Sequence, residues 1–321
     1  MAISKKINPF LKANPDTGFG VSPSQLGERF VNKDGSFNVR KRGISYLKRV
    51  SLYSNLLSLN RTQFALVILT MYFSVNVVFA VIYYLIGADQ FVGLLSTSNW
   101  GRFKEMFFFS TQTFTTVGYG RINPLQELAD IVSSVETMMG WMFFALVTGL
   151  LYGRFTHPKA YLLFSENALM APYRGGWGLM FRIVPYKEKH YLTNASIVVN
   201  IAFLDTENSK TEYKFYTLNL ERSHVDALSM NWTVVHPLDE SSPLQNFTLE
   251  DMNRSDLELY IQVNGFDHVF SSTVMQRTSY TYKEIIWKAK FKPMYHESDD
   301  GKITILDLDK LNDYQLLEET P

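Results

Sequence analysis

Two long apolar runs dominate the hydropathy pattern of the chain. The first, Phe64 to Ile86, has no charged residue and few polar ones, among them Asn76. A helix over this run is about 34 Å long, enough to cross a bilayer with some tilt. A signal peptide is not expected there, because residues 1–63 precede it. The second run, Leu128 to Phe155, is mildly polar at its start, with Asp130, Ser133, Ser134 and Glu136, and strongly apolar after that. This pattern suits a helix packed among other helices or lining a cavity. Between the runs, Trp100 to Thr115 gathers Phe103, Met106, Phe107, Phe108, Phe109 and Phe114. It is too short to span and long enough for a re-entrant half-helix, which needs protein or a water-filled path around its end. The C-terminal end of such a half-helix is partially negative and favours a cation.

Before and after this unit the pattern changes. Tyr46 to Asn60 reads as an amphipathic helix, with Leu47, Val50, Leu52, Leu56, Leu57 and Leu59 apolar and Lys48 and Arg49 charged. Beyond residue 157, Ser196–Phe203, Thr211–Leu218 and Leu257–Val263 alternate or are β-branched, and Asn, Gly, Asp and Pro punctuate them. Short strands so spaced predict a β-sandwich. The expected division is a polar, mostly extended segment 1–45, a slide helix 46–61, a pore unit 62–156, a β-domain 157–310 and a frayed tail 311–321. The fold class is therefore an α+β membrane protein.

Charge orients the chain. Arg29, Lys33, Arg40, Lys41, Arg42, Lys48, Arg49 and Arg61 precede the first run, and Arg154, His157 and Lys159 follow the second. The loop between carries both signs, so the basic flanks predict a multi-pass protein of the cell membrane with both termini cytoplasmic. On that topology the acceptor patterns at Asn194 and Asn246 stay unmodified. The 321 residues carry zero formal net charge and no cysteine, which excludes disulfide stapling and cysteine-held metal. Six histidines form no compact ligand set, so no enzyme, cofactor or resident metal is expected. The basic cluster beside a span is explained by lipid headgroups, and no nucleic-acid partner is expected.

The candidate chemistry lies in Thr115-Thr116-Val117-Gly118-Tyr119-Gly120, just after the half-helix. A narrow pore needs successive carbonyls aimed at a dehydrated ion, along a backbone that glycine adopts without penalty. Carbonyl rings at Thr116, Val117, Gly118 and Tyr119, with Gly120 at the mouth, would replace the hydration shell of K+. One strand cannot enclose an ion, and a fourfold ring of identical chains satisfies that need.

Several ordered motifs resemble the inward-rectifier potassium channel family, in its prokaryotic (KirBac-type) branch, over nearly the whole chain. They are Arg29 to Gly35, Ser110 to Gly120, Glu136 to Gly140 and Gly149 to Lys159. Phe164 to Ala168, Phe181 to Val184, Asp239 to Leu244 and Ser279 to Trp287 extend the match. The resemblance implies a homotetramer, a channel with an immunoglobulin-like cytoplasmic sandwich, and K+ as the permeant ion.

Three departures from the family pattern matter. Gln112 stands where many relatives place a pore-helix glutamate that pairs with an arginine beyond the filter. Filter support must then differ. Glu136 is a candidate partner, against the plainer reading of a solvated residue at the helix end. Phe144 stands where strong rectifiers carry a cavity acid, so rectification should be weak; Phe144 and Thr148 are the candidate cavity residues. Glu212, Glu221, Asp226 and Asp267 are available acids, and none is assigned a role in the cytoplasmic pore. The run of basic residues that follows the linker proline in relatives is replaced by Lys159-Ala160-Tyr161, leaving Arg61, Arg154, His157 and Lys159 for anionic lipid. Gly140 and Gly149 have two readings, hinge or close packing. Tyr152 aligns with a bulky inner-gate position, and is otherwise an interfacial aromatic. The competing class is a membrane-anchored β-sandwich that binds a ligand without a conducting pore.

Overall fold

The computed structural model describes residues 11, 13–14, 29–40, 42–43, 45, 51–156, 158–207 and 210–317. Side chains 206–211 lie outside that description. Two compact units result, one from residues 42–157 and one from residues 1–41 with 158–321.

The first unit is helical. Helix α1 (Leu52–Ser58) starts at Ser51, whose side chain accepts from the Ser54 amide. Residues 46–50 of the expected amphipathic helix lie outside the described residues. Arg61 opens the next helix, α2 (Arg61–Ile86), and so is not part of the slide helix. A reciprocal cap explains the break: the Asn60 side chain accepts from the Gln63 amide (2.8 Å), and the Gln63 side chain accepts from the Asn60 amide (3.3 Å). Helix α3 (Asn99–Phe114) is the half-helix, capped by Ser98, and helix α4 (Glu127–Phe155) is the second span. A short ribbon, β1 (Phe91–Val92) with β2 (Asn123–Pro124), ties the two loops that flank α3 and the glycine-rich segment.

A small core of Phe79, Ala80, Tyr83, Phe91, Met106, Phe109, Ile122 and Ala129 joins these elements. Tyr83 meets the rings of Phe91 and Phe109 edge-on, at 5.4 and 5.1 Å. Most other apolar residues of α2 and α4 are exposed, including Leu66, Phe73, Trp141 and Leu146. Helices with their backbone groups satisfied internally and an apolar exterior are what a bilayer accepts.

The second unit is a sandwich of two five-stranded sheets. One sheet orders β11 (Ser272–Thr281), β10 (Glu258–Asp267), β6 (Leu192–Glu207) and β7 (Lys210–Thr217), with β8 (His224–Leu228) also on β6. The other orders β12 (Ile285–Trp287), β4 (Ala168–Tyr173), β5 (Gly176–Pro185) and β3 (Leu162–Phe164), with β9 (Trp232–Pro237) also on β5. All pairs are antiparallel except β12 with β4. The three strands read from the sequence are neighbours in the first sheet. Ala195, Ile197, Val199, Ile201 and Phe203 of β6 face the core at alternate positions, against Leu179, Phe181 and Ile183 of the other sheet. A one-residue register shift opposite Asn264–Phe266 bulges β6 near Asn194. The short helix α5 (Leu249–Arg254) closes one end, with Met252 buried.

Two expectations are corrected here. The tail is folded through residue 317: β16 (Tyr314–Leu316) pairs with β13 (Ala289–Phe291), and Leu311 packs with Val184 and Met294. A second ribbon, β14 (Tyr295–Glu297) with β15 (Thr304–Leu306), precedes it. Residues 29–40, within the segment expected to be mostly extended, form a hairpin turn with a Val31–Phe37 bridge and Gly35 at φ 82°. Its amides anchor it: Phe30 and Val31 donate to the buried Glu258 carboxylate, at 3.1 and 3.5 Å. Burial pushes the Glu258 carboxyl above its usual range, against these donors. Arg29 and Lys33 both pair with Glu284.

Candidate functional site

The site is built at the C-terminal end of α3. There the chain leaves the helix and alternates backbone sign: Thr116, Gly118 and Gly120 have φ of 62°, 52° and 80°, while Val117 and Tyr119 are not left-handed. In an ordinary strand successive carbonyls point to opposite sides. Alternating left- and right-handed residues turn them to one side, the carbonyl counterpart of a backbone nest. Glycine takes the left-handed geometry freely at two of the three positions. Thr116 is β-branched, and there this backbone is strained.

The amides face the other way. Val117 and Gly118 both donate to the Gln112 carbonyl, at 2.9 and 3.3 Å, and Thr116 donates to the Thr113 carbonyl at 3.0 Å. These bonds satisfy helix-end carbonyls that otherwise lack partners. They also commit the Thr116, Val117 and Gly118 N–H groups to the helix end. Beyond the segment, the Asn123 side-chain amide donates to the Gly120 carbonyl at 2.7 Å. Val117 and Tyr119 are 53% and 79% exposed in the single chain. An open cavity of about 370 Å³ lies beside the segment, lined by Gln112, Thr116, Gly118, Ser133, Ser134 and Thr137 among others.

The support differs from expectation. Glu136 is neither solvated nor bonded to Gln112 or Arg121. It is fully buried, accepting from the Tyr83 hydroxyl at 2.5 Å and lying 2.5 Å from the Ser110 hydroxyl. Ser110 also reaches the Asn76 side-chain oxygen at 3.1 Å, and the Asn76 amide donates to the Tyr72 carbonyl at 2.7 Å. Arg121 pairs instead with Glu105 at 3.2 Å, and that carboxylate also accepts from the Leu95 and Ser96 amides. Gln112 acts through its backbone carbonyl. Tyr83 and Ser110 were not singled out from the sequence. The signal for Tyr83 was its seven-residue spacing from Asn76, which puts both on one face of α2.

One turn below Glu136, Gly140 lies so close to α3 that a Cβ there would sit 2.0 Å from the Phe114 carbonyl oxygen. In this conformation it serves close packing. Gly149 has open space around it. Phe144, Thr148 and Tyr152 follow at four-residue spacing on one face of α4, all exposed in the single chain. The Phe144 ring meets those of Phe114 and Phe143. A Cβ at Gly153 would meet the Tyr53 hydroxyl at 2.6 Å, so α1 lies against the end of α4.

Of the basic residues, Arg61 and Lys159 are exposed, and His157 lies outside the described residues. Arg154 is half-buried, its guanidinium 5.1 Å from the Phe64 ring centre, so it is turned onto α2 and away from open solvent. Among the available acids, Asp267 is buried. It pairs with His190 at 2.7 Å and accepts from the Val269 and Phe270 amides. Glu221 pairs with Arg174, and Asp226 is exposed. Among the described residues, no cluster of His, Asp and Glu suits a metal ion.

Comparisons with known proteins agree with this geometry. Residues 162–320 match the inward rectifier potassium channel C-terminal domain, and residues 67–157 match an ion channel family. The chain is 30% identical to the inward rectifier potassium channel Kirbac3.1 of Paramagnetospirillum magnetotacticum, over 92% of this chain and 98% of that one. It is 26% identical to a G protein-activated inward rectifier potassium channel 2 of Pongo abelii, over 83% of this chain and 68% of that one. It is also 26% identical to an ATP-sensitive inward rectifier potassium channel 12 of Gallus gallus, over 86% and 69%.

Proposed function

Since the chain belongs to the inward-rectifier potassium channel family, a family of membrane ion channels and not of enzymes, we propose that four copies form one K+ pore whose filter is Thr116 to Gly120. The observation that carries this reading is the alternation of backbone sign at Thr116, Gly118 and Gly120, with the Val117 and Gly118 amides held by the Gln112 carbonyl. Four such strands around an axis give stacked carbonyl rings that strip and replace water around K+. The exposed Val117 and Tyr119 side chains would be covered by neighbouring copies. Conduction is passive, with ions moving by mutual repulsion between sites.

The inner helix supplies the rest. Phe144 and Thr148 face the cavity, and a ring of four Tyr152 side chains closes it below. Gly149, with open space around it, is the better-placed bending point in α4, while Gly140 holds α4 against the half-helix. Without an acid at Phe144, internal polyamines have little to hold them, and rectification is weak. The basic flanks place both termini in the cytoplasm. Arg61 and Lys159 remain free for anionic headgroups, and Arg154 reaches them only by leaving Phe64.

Purified protein in liposomes tests the pore. Rubidium uptake that K+ suppresses and Na+ does not is the expected result. Uptake that Na+ suppresses equally well would refute selectivity, and failure to cross-link to tetramers would refute the assembly.

A further inference from the structure

Glu136 is an acid at membrane depth, where an ionised carboxylate needs a cation or several donors. Neither is there. Its side chain is fully enclosed by α2, α3 and α4 of its own chain, so no neighbouring copy or lipid reaches it. Its partners are two hydroxyls, Tyr83 at 2.5 Å on one oxygen and Ser110 at 2.5 Å on the other. Among the described residues it has no Lys, Arg or His partner.

The protons can be counted. Tyr83 has one, and it serves its contact with Glu136. The Ser110 oxygen has one proton and three acceptors beside it, Glu136 at 2.5 Å, the buried Asn76 side-chain oxygen at 3.1 Å and the Asn76 backbone carbonyl at 3.2 Å. Asn76 has no donor to spare toward Ser110, because its amide is directed at the Tyr72 carbonyl at 2.7 Å. If Ser110 gives its proton to Glu136, the Asn76 oxygen is left facing a lone pair in a dry site, which is costly. One more proton, on the Glu136 oxygen that faces Ser110, completes the chain. Glu136 then donates to Ser110, and Ser110 donates to Asn76.

We infer that Glu136 is held as the neutral acid and is the positioning residue for K+ selection, acting through Ser110 on the half-helix. The path is short. Ser110 lies two residues before Gln112, whose carbonyl holds the Val117 and Gly118 amides. Gly140, one turn from Glu136, presses α4 onto the Phe114 carbonyl from below. The carboxyl and the glycine thus fix the last two turns of α3 against α4, and with them the filter backbone. This inference deepens the filter reading above and rests on it.

The test uses the full channel in lipid, as wild type and as the Glu136→Gln, Glu136→Leu and Ser110→Ala variants. Tetramers are confirmed by cross-linking. An infrared difference spectrum at neutral pH, wild type minus Glu136→Gln, should contain the carbonyl band of a protonated carboxylic acid. Glutamine is neutral, accepts from Tyr83 and donates to Ser110, so K+ over Na+ discrimination should stay within about twofold of wild type. Leucine at 136, or alanine at 110, should lower discrimination about tenfold in assembled tetramers, the scale of one lost buried hydrogen bond. If the leucine variant does not assemble, the Ser110→Ala variant decides. No acid band, a glutamine variant as leaky as the leucine one, or full selectivity without Ser110 would each overturn the inference. A wild type that does not discriminate would instead refute the filter reading, and the band would still be judged by itself.

Discussion

Thr116 holds a left-handed backbone that β-branched residues avoid, and that strain marks the proposed filter more sharply than its glycines do. At Gly118, with φ 52°, alanine costs roughly 1–2 kcal/mol in this region of backbone space. Gly118→Ala should leave tetramers intact and abolish the preference of rubidium uptake for K+ over Na+ as competitor. The left-handed backbone at Gly118 and Gly120 was legible in the sequence because glycine takes it without penalty, and that at Thr116 was not. The support was less legible. Which hydroxyls meet Glu136 depends on how α2, α3 and α4 pack, and hydropathy does not encode the rotation of each helix. Arg121 shows the same limit: its sequence neighbours did not reveal that Glu105, sixteen residues back, is its partner at 3.2 Å.

Among the elements, α4 carries most of the proposed function. Its Phe144–Thr148–Tyr152 face is apolar or uncharged and exposed in the single chain. An acid in that cavity would attract multivalent cations from inside. Phe144→Asp should therefore introduce voltage-dependent block of outward current by internal spermine, read in planar bilayers, where the wild type shows little. Tyr152→Ala should raise basal flux into liposomes, and unchanged flux in a folded tetramer would remove Tyr152 as the gate. The long elements were readable: the two spans and the half-helix lie within a few residues of the apolar runs that announced them. The short ones were not. Asn60 with Gln63 forms a cap that ends the amphipathic segment early, and β16 folds a tail that composition alone marks as loose.

At the scale of the molecule, two units have separate cores, and the β-rich one has its own pH response. His236 is buried between the Asn219 carbonyl (2.6 Å) and the Ser242 hydroxyl (2.8 Å), and burial holds its imidazole below the usual value. A base lowered in the folded state contributes stability above its ordinary value of about 6.5 and loses it as pH falls toward the folded value. Melting of the detergent-solubilised channel should thus fall as pH drops below about 6.5, and His236→Gln should flatten that slope. Three neighbouring strands of the sandwich were legible from alternation. The second sheet was not, because strands such as β4 and β5 are buried along most of their length and show no period of two. The central claim is that four of these chains make a pore that selects K+ by the backbone of Thr116 to Gly120. The reversal potential of purified channels in a bilayer, with K+ on one side and Na+ on the other, tests it most directly. The account predicts current that reverses far toward the K+ equilibrium potential. Reversal near zero would contradict it.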